Sequence, residues 1–456
     1  MVFSSLIFIF RFLPIFLIVY FIMPERYKNF TLLIFSLIFY TVGEPIYFPL
    51  MIASIVVDYF VAIAIENNFT NKTKCKYFLL ISIIFNMGML FFFKYFNFFI
   101  DNINLIFSTS IKSIKLSLPL GISFYTFQTL SYSIDVFKGK IKAERNIIDF
   151  GAFVSSFPQL IAGPIVKYTD ISKDIKKRTN SLDNFEVGLE EFILGLGKKV
   201  LIANNIGMLW TEIYSQNIND ISMPLAWIGI LAFSFQIYFD FSGYSSMAIG
   251  LGKVIGFNFP KNFNFPYISR STSEFWRRWH ITLGSWLKEY IYIPLGGNRV
   301  NKKRFFFNLF ILWFLTGFWH GAEYTFILWG LYFFLLIYLE KRFLNIILDK
   351  NKVFSHIYTS FFLLIGWTIF AIDDIRLLSI YIRRMFSFNF TLDWIYYFNN
   401  YVVILIICFI CSTPLILKVY MKMNKAIKSI IIVTIFILSI AYLVDSTYNP
   451  FLYFRF

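Results

Sequence analysis

The sequence predicts an all-α integral membrane protein that crosses the bilayer many times. Hydrophobic residues make up 58% of its 456 residues and charged residues only 15%, which excludes an ordinary water-soluble globule. Long apolar runs recur along the chain and approach the roughly 20 residues that a spanning helix needs, whereas barrel strands would show about ten alternating residues. We expect about 11 to 12 spanning helices, with re-entrant segments around a thinned centre.

The positive charges give the orientation of these helices. The net charge is +16, and Lys and Arg cluster in short loops between apolar runs. This pattern is typical of cytoplasmic loops and does not indicate a nucleic-acid partner. Residues 1–20 are not followed by a small-residue cleavage site, so we interpret them as a first span and not as a cleaved signal. The loop charges then place the N terminus outside. We expect the chain in the cell (inner) membrane.

Two apolar segments lie between basic loops that both belong on the cytoplasmic side, so each segment must enter the membrane and return. These predicted re-entrant segments lie near 150–165 and 281–295. Broken backbone is tolerated at membrane depth where protein or a water-filled cavity surrounds it. We divide the chain into N-terminal membrane helices at 1–116, a core at 117–340 and C-terminal membrane helices at 341–456.

Two of the three histidines, His280 and His320, lie among Phe, Leu and Trp. An ionisable ring is costly in hydrocarbon, so each is a candidate for a functional site. Trp313 and Gly317 share a helical face with His320, and the small Gly317 would leave room for a narrow substrate. The alternatives are an interhelical hydrogen bond for His320 and an interfacial anchor for His280.

Further polar residues interrupt apolar stretches. Asp240 lies deep in an apolar run, where it would pair with Arg277 or Arg278 to hold the fold, or else orient a histidine ring. Gln128 and Asn298 are polar candidates for the lining of a channel, and both also fit a structural role. The three cysteines show no metal-ligand spacing, so we expect free thiols and no bound metal.

Six motifs, together with their order along the chain, resemble those of the membrane-bound O-acyltransferases, in particular the branch of the bacterial alginate O-acetyltransferase membrane subunits. The sister branch transfers D-alanine to teichoic acid. The resemblance covers about 118–330, with weaker similarity at 366–370 and in the tail at 449–456. The motifs are Leu118-Pro-Leu-Gly-Ile-Ser-Phe-Tyr-Thr-Phe-Gln128, Pro158-Gln-Leu-Ile-Ala-Gly-Pro164, Phe239-Asp-Phe-Ser-Gly-Tyr244, Phe275-Trp-Arg-Arg-Trp-His280, Tyr292-Ile-Pro-Leu-Gly-Gly-Asn-Arg299 and Trp319-His-Gly321.

The resemblance implies that His320, within the motif Trp319-His-Gly321, is the catalytic histidine and that His280 is the second motif histidine. An imidazole with an ordinary pKa of about 6.5 suits the removal of a hydroxyl proton at neutral pH, so we assign His320 as general base. His280 would donate to the carbonyl oxygen as negative charge develops, or shape the channel. Glu323 departs from the family pattern. It would fix the tautomer of His320, or else face the outer aqueous mouth.

The resemblance also implies acetyl-CoA as the acyl donor substrate. We expect no bound cofactor. Arg277, Arg278 and Arg299 would form a cationic vestibule for this phosphorylated carrier, although orientation in the membrane explains them equally well. The acetyl group would pass to an extracellular or cell-wall polysaccharide through an extracytoplasmic acetyltransferase or acceptor protein.

Two other functions remain open at the level of the sequence. The first is transfer of D-alanine from a phosphopantetheine carrier protein to teichoic acid, which the sister branch performs with the same histidine. The second is transport or lipid flipping, which predicts two halves with matching interrupted helices. The sequence shows no such internal repeat. The stretches at 124–128 and 276–280 favour the acetyl branch.

Overall fold

All the regular elements in the described part of the chain are helices. The protein is a multi-pass membrane protein with an all-α fold, as predicted. The helices belong to two compact units, which are Met1–Phe192 with Ser245–Pro260 and Ile193–Tyr244 with Lys261–Phe456. The computed structural model describes residues 2–114, 117–160, 163–445, 448–450 and 452.

Ten α-helices begin in the first unit as far as the structure describes it, and several have side-chain caps. Asn71 accepts a hydrogen bond from the backbone N–H of Lys74 at the start of the fourth helix, and Asn146 caps the seventh in the same way. The helices are α1 Leu13–Ile22, α2 Lys28–Gly43, α3 Phe48–Asn67, α4 Lys72–Leu90, α5 Phe96–Phe107, α6 Ile122–Phe137, α7 Ile147–Ser155, α8 Phe157–Leu160, α9 Tyr168–Lys176 and α10 Leu182–Gly197.

Twelve more α-helices follow in the described residues, and the second of these contributes to both units. Ser271, Asn301 and Asn351 cap the third, fifth and eighth of them through their side-chain oxygens. The helices are α11 Asn204–Tyr214, α12 Met223–Val254, α13 Thr272–Arg278, α14 Ile281–Leu287, α15 Lys302–His320, α16 Tyr324–Leu339, α17 Asn345–Lys350, α18 Lys352–Ala371, α19 Ile375–Met385, α20 Asp393–Cys411, α21 Leu415–Lys422 and α22 Lys425–Asp445.

Seven helical segments in the described residues are long and apolar enough to cross a membrane, and the apolar segment Phe8–Ile22 is shorter. Some of these segments include π-helical turns that join consecutive α-helices. The expected total of about 11 to 12 spans stays a prediction. The seven segments are Phe48–Asn67, Lys72–Phe107, Leu182–Tyr214, Met223–Val254, Lys352–Ala371, Asp393–Cys411 and Lys425–Asp445.

Both segments predicted to be re-entrant contain broken helices. In the first, α7 ends at Ser155 and α8 begins at Phe157, and residues 150–160 are buried. Residues 161 and 162 lie outside the described part. In the second, α14 is followed by a π-helix at Lys288–Tyr292 and by turns. Entry into the membrane and return stays a prediction for both segments.

The division of the chain into consecutive segments is also untested. Each compact unit combines separate stretches of chain, whereas the predicted segments at 1–116, 117–340 and 341–456 are continuous. Residues 115 and 116, at the first predicted boundary, lie outside the described part. The three-segment division therefore stays a prediction.

A buried polar network joins three helices of the first unit. The carboxylate of Asp58 on α3 is fully buried and accepts hydrogen bonds from Ser82 (2.5 Å) and Asn86 (2.7 Å) on α4 and from Ser133 (2.7 Å) on α6. The side chain of Thr129 in turn donates to Asn86. A buried carboxylate is tolerated when hydrogen bonds replace its water, so this network stabilises the packing of these helices.

Candidate active site

His320 is the last residue of α15, at the tip of a tight helical hairpin. The next helix, α16, packs closely against α15 because Gly317 and Gly330 face each other, and a Cβ on either glycine would meet the backbone of the other helix. Small residues permit such close approach between membrane helices. Gly317 therefore serves the contact between α15 and α16, and the channel-lining role assigned to it from the sequence stays a prediction.

Three aromatic rings surround the imidazole of His320. The ring centroids of Trp319, Trp329 and Phe370 lie 5.0, 5.1 and 5.2 Å from that of His320, and each pair meets edge to face. His320 retains 7% of its accessible surface, whereas Trp329 retains 1%. The three aromatic rings thus hold the imidazole in one orientation and restrict the directions from which a reacting group can approach it.

His280 lies in the turn between α13 and α14, against Phe241 at 4.7 Å between ring centroids. The ring of Trp319 contacts both His280, at 6.3 Å, and His320. The structure therefore brings the two predicted histidines together around one indole. Neither α13 nor α14 is long enough to span a membrane. Burial of His280 in the turn between them lowers the pKa of its imidazole, which favours the neutral ring.

His280 has an unusual backbone conformation, with φ of +42° and ψ of +54°. This left-handed region is uncommon for residues other than glycine and costs about 1–2 kcal/mol. The segment at 262–264 holds the turn in place. The carbonyl of Asn262 accepts from the backbone N–H of Ile281 at 2.9 Å, and the backbone N–H of Asn264 donates to the carbonyl of Arg278 at 2.9 Å.

The side chain of Asn262 holds the same turn. Its Oδ1 lies 3.1 Å from Nδ1 of His280, and it accepts hydrogen bonds from the backbone N–H and the hydroxyl of Thr282 at 3.2 and 2.9 Å. Asn262 is 1% exposed. The sequence motifs gave no signal for this residue, because it lies in an irregular stretch 18 residues before His280.

The N-terminal end of α13 is held by a carboxylate from a distant part of the chain. Glu340 is fully buried and accepts four hydrogen bonds, from the backbone N–H and the hydroxyl of both Thr272 and Ser273, at 2.6 to 2.8 Å. The same helix carries Trp276, whose ring lies 5.2 Å from that of Trp329. Glu340 therefore fixes a helix that packs on the surroundings of His320.

One prediction paired Asp240 with Arg277 or Arg278, and this prediction is wrong. Asp240 lies 2.7 Å from Nζ of Lys199, and both side chains are almost completely buried, with 3% and 1% exposed. The long helix α12 and the π-helical turn after α10 carry these two residues. A buried charge needs a partner, and Lys199 supplies it, so the structure supports the structural interpretation of Asp240 with a different cation.

The same ion pair anchors the C-terminal tail. The backbone N–H of Leu452 donates to Asp240 at 2.9 Å, and the ammonium of Lys199 donates to the carbonyl of Pro450. The side chain of Asn204 accepts a further hydrogen bond from Lys199 at 2.9 Å. Residues 451 and 453–456 of the tail motif lie outside the described residues.

The three arginines predicted to form a vestibule differ in their surroundings. Arg278 forms an ion pair with Glu274 at 2.9 Å. Arg277 is exposed and lines a polar cleft of about 280 Å³ together with Arg270 and the carboxylates of Glu274 and Asp349. Arg299 is exposed at the end of the turns that follow α14, next to the exposed Asn298. The structure thus places Arg277 and Arg278 on one short helix.

Electrostatics distinguish the two neighbouring arginines. Burial alone would raise the pKa of Glu274, but hydrogen bonds from the backbone N–H of Arg270 and from Arg278, with the nearby charges, lower it, so the carboxylate stays ionised. Partial desolvation and the like charge of Arg277 lower the pKa of Lys341, the carboxylate of Glu340 opposes this, and the charge of Lys288 lowers the pKa further. We call Arg277, Lys288 and Lys341 the cationic cluster.

The remaining predicted site residues fall into two groups. Trp313 and Gly321 lie near His320: the ring of Trp313 contacts Trp329 at 6.3 Å, and a side chain at Gly321 would clash with Phe326. Glu323 is exposed at the start of α16, and its proposed effect on the tautomer of His320 stays a prediction. Gln128 is fully buried on α6 in the first unit, and its channel-lining role stays a prediction.

Residues 141–372 match the family model of MBOAT, the membrane-bound O-acyltransferase family, and this stretch contains both His280 and His320. The chain belongs to this family and is an acyltransferase.

Several curated proteins are similar to the chain over most of their length. A probable alginate O-acetylase of Pseudomonas syringae is 41% identical over 399 residues, which cover 86% of this chain and 76% of the relative. A peptidoglycan O-acetyltransferase of Helicobacter pylori is 36% identical over 85% of this chain and 80% of its own length. A teichoic acid D-alanyltransferase of Streptococcus thermophilus is 30% identical, over 47% of this chain and 54% of its own.

Proposed function

We propose that the protein transfers acetyl groups from cytoplasmic acetyl-CoA across the cell membrane to an extracellular or cell-wall polysaccharide. The single observation that carries this proposal is the buried pair His280 and His320 around Trp319, in a chain whose broadly matching relatives are named for O-acetyl transfer. The relative named for D-alanyl transfer matches only about half of the chain, which favours acetyl over D-alanyl.

In this proposal His320 is the general base. Its imidazole removes the proton from an acceptor hydroxyl, and the oxygen attacks the carbonyl carbon of the thioester. The C–S bond then breaks, and the thiolate of the carrier leaves and takes up a proton. The rings of Trp319, Trp329 and Phe370 fix the imidazole and keep bulk water from competing with the hydroxyl.

The cationic cluster supports acetyl-CoA as the donor. Arg277 and Lys288 both lie close enough to Lys341 to interact with its charge, and phosphates bind preferentially to such cationic groups. Arg278 is neutralised by Glu274, so Arg277 carries the proposed contact with the phosphates of the carrier. We place this cluster on the cytoplasmic side and the N terminus outside, in keeping with the loop charges.

An extracytoplasmic acetyltransferase or acceptor protein is the proposed partner. The membrane protein delivers the acetyl group outward, and the partner carries it to the polysaccharide. The transporter and flippase alternatives lose support, because the chain belongs to an acyltransferase family.

A reconstitution assay tests the donor. The purified full chain in lipid vesicles is given a polysaccharide acceptor together with labelled acetyl-CoA or a D-alanyl carrier protein, and release of free thiol is measured. We expect consumption of acetyl-CoA only. An Arg277→Gln variant should raise KM for acetyl-CoA about tenfold, whereas the matched control Lys74→Gln, an exposed cation of the first unit, should not. Consumption of the D-alanyl carrier alone would refute the proposal.

A further inference from the structure

We propose that the polar cleft beside α13 binds the nucleotide end of coenzyme A, an adenosine that carries a 3′-phosphate and a 5′-diphosphate. Arg270 and Arg277 are the proposed phosphate contacts. This inference deepens the proposed function and rests on it for the identity of the donor. It also gives a reason for a choice of acetyl-CoA over a D-alanyl carrier protein, whose arm ends on a protein and carries no nucleotide.

The cleft has the size and the fixed wall of a small-ligand site. Its volume is about 280 Å³, and it lies between the start of α13 and α17. Ligand pockets measure roughly 300–1,000 Å³, so this cleft suits one end of coenzyme A and not the whole molecule. On the α13 side Ser273 lines the cleft, and its backbone N–H and hydroxyl donate to the buried Glu340 at 2.8 and 2.6 Å. This wall is therefore held in place without a ligand.

Two guanidinium groups in the cleft are available to an anion. Arg270 and Arg277 are exposed, and neither guanidinium forms a hydrogen bond or an ion pair within the described residues. Their neighbour Arg278, by contrast, pairs with Glu274 at 2.9 Å. The like charges of Arg277 and Lys341 interact, which places a further cation beside the cleft. A guanidinium binds phosphate oxygens through two parallel hydrogen bonds, so two of them in one cleft suit a ligand with more than one phosphate.

Two carboxylates also line the cleft, and they favour a nucleotide over a bare phosphate. Glu274 is neutralised by Arg278 and accepts the backbone N–H of Arg270 at 2.9 Å. Asp349 is exposed on α17, one turn from Asn345. A carboxylate repels a phosphate but accepts hydrogen bonds from ribose hydroxyls and amino groups. A nucleotide carries phosphates as well as such donors and matches both kinds of lining group, whereas inorganic pyrophosphate matches only the arginines.

Isothermal titration calorimetry on the full chain in phosphatidylcholine nanodiscs tests this inference, with adenosine 3′,5′-bisphosphate as the probe. We expect the wild-type protein to bind this nucleotide more tightly than inorganic pyrophosphate. Arg270→Gln should weaken nucleotide binding about tenfold, because it removes one charged phosphate contact. The matched control Arg383→Gln, an exposed arginine on α19 outside the cleft, should leave it unchanged. Unchanged binding by a folded Arg270→Gln protein, or equal losses in both variants, would overturn the inference.

Asp349→Ala separates a nucleotide site from a site for bare anions. The variant removes an acceptor for ribose hydroxyls and also removes a repulsion of phosphates. It should therefore weaken binding of the nucleotide and strengthen binding of pyrophosphate. Stronger binding of both probes would overturn the inference. Tighter wild-type binding of glycerophosphoglycerol, the headgroup of phosphatidylglycerol, than of the nucleotide would also overturn it and point to a lipid.

The binding assay contains no acyl transfer, so its result is independent of the proposed function. If the chain binds the nucleotide through Arg270 but consumes only the D-alanyl carrier, the proposed function fails and the assignment of the cleft stands. If the chain consumes acetyl-CoA while Arg270→Gln binds the nucleotide as the wild type does, only the assignment of the cleft fails.

Discussion

Replacement of Glu340 by glutamine should lower both the stability of the protein and the turnover of its folded fraction. The carboxylate accepts four hydrogen bonds from Thr272 and Ser273 at the start of α13. A glutamine amide keeps one acceptor oxygen and turns an N–H2 group toward a backbone N–H. That N–H loses its partner, at a cost of about 1–3 kcal/mol, and the other bonds weaken from charge-assisted to neutral. Together these losses should lower the free energy of unfolding by about 4 kcal/mol.

The catalytic effect follows from what α13 carries. Its Trp276 packs against Trp313 and Trp329, and the helix leads into the turn that holds His280. When the start of the helix is released, these groups lose their fixed position. We expect kcat of the folded protein to fall about tenfold or more, since small misplacements near the reacting groups cost rate.

The assay combines thermal unfolding in detergent with steady-state kinetics on the folded fraction. Asp58→Asn is the matched control, because Asp58 is equally buried, accepts three side-chain hydrogen bonds and lies in the other compact unit. It should lower the unfolding temperature and leave kcat unchanged. A Glu340→Gln protein with the wild-type kcat would refute the positioning argument.

Two further predictions follow from the charged residues. Asp240→Asn and Lys199→Met should each destabilise the protein by about 3–5 kcal/mol, because each leaves a buried charge unpaired. The double variant should lose less stability than the sum of the two single variants. Additive losses of the free energy of unfolding in chemical denaturation would contradict this. The lowered pKa of Glu274 stabilises the folded protein at pH values above the unfolded pKa of about 4.3, and this stabilisation is lost as the pH falls through the folded pKa. Glu274→Gln should therefore reduce the fall of the unfolding temperature at acidic pH. An unchanged fall in this variant would argue against the prediction.

Composition and loop charge were enough to predict the fold class, and the motifs predicted the family. Apolar length and charge position are local properties, so they can be read without a structure. The partner of Asp240 could not be predicted in this way. Lys199 lies 41 positions away on another helix, and the sequence offered the nearer motif residues Arg277 and Arg278 as equally good cations.

The same limit applies to the candidate site. The rarity of histidine and the known motifs identified His280 and His320, but nothing in the pattern pointed to Asn262, which reaches His280 only through tertiary folding. Gly317 was interpreted as room for a substrate. The structure shows it against Gly330, because a small residue on a helix face serves close packing as well as a cavity. Ion pairs and helix contacts between distant parts of the chain therefore could not be predicted from the sequence.

The central claim is that His320 removes the proton from the acceptor hydroxyl. The most direct measurement compares acetyl transfer from labelled acetyl-CoA to acceptor by wild-type and His320→Ala proteins in lipid vesicles, with acetyl-CoA affinity and unfolding temperature measured on both. We expect the variant to fold and bind acetyl-CoA as the wild type does, with transfer lowered by about 10²–10⁴-fold. Transfer at the wild-type rate by the folded variant would contradict it.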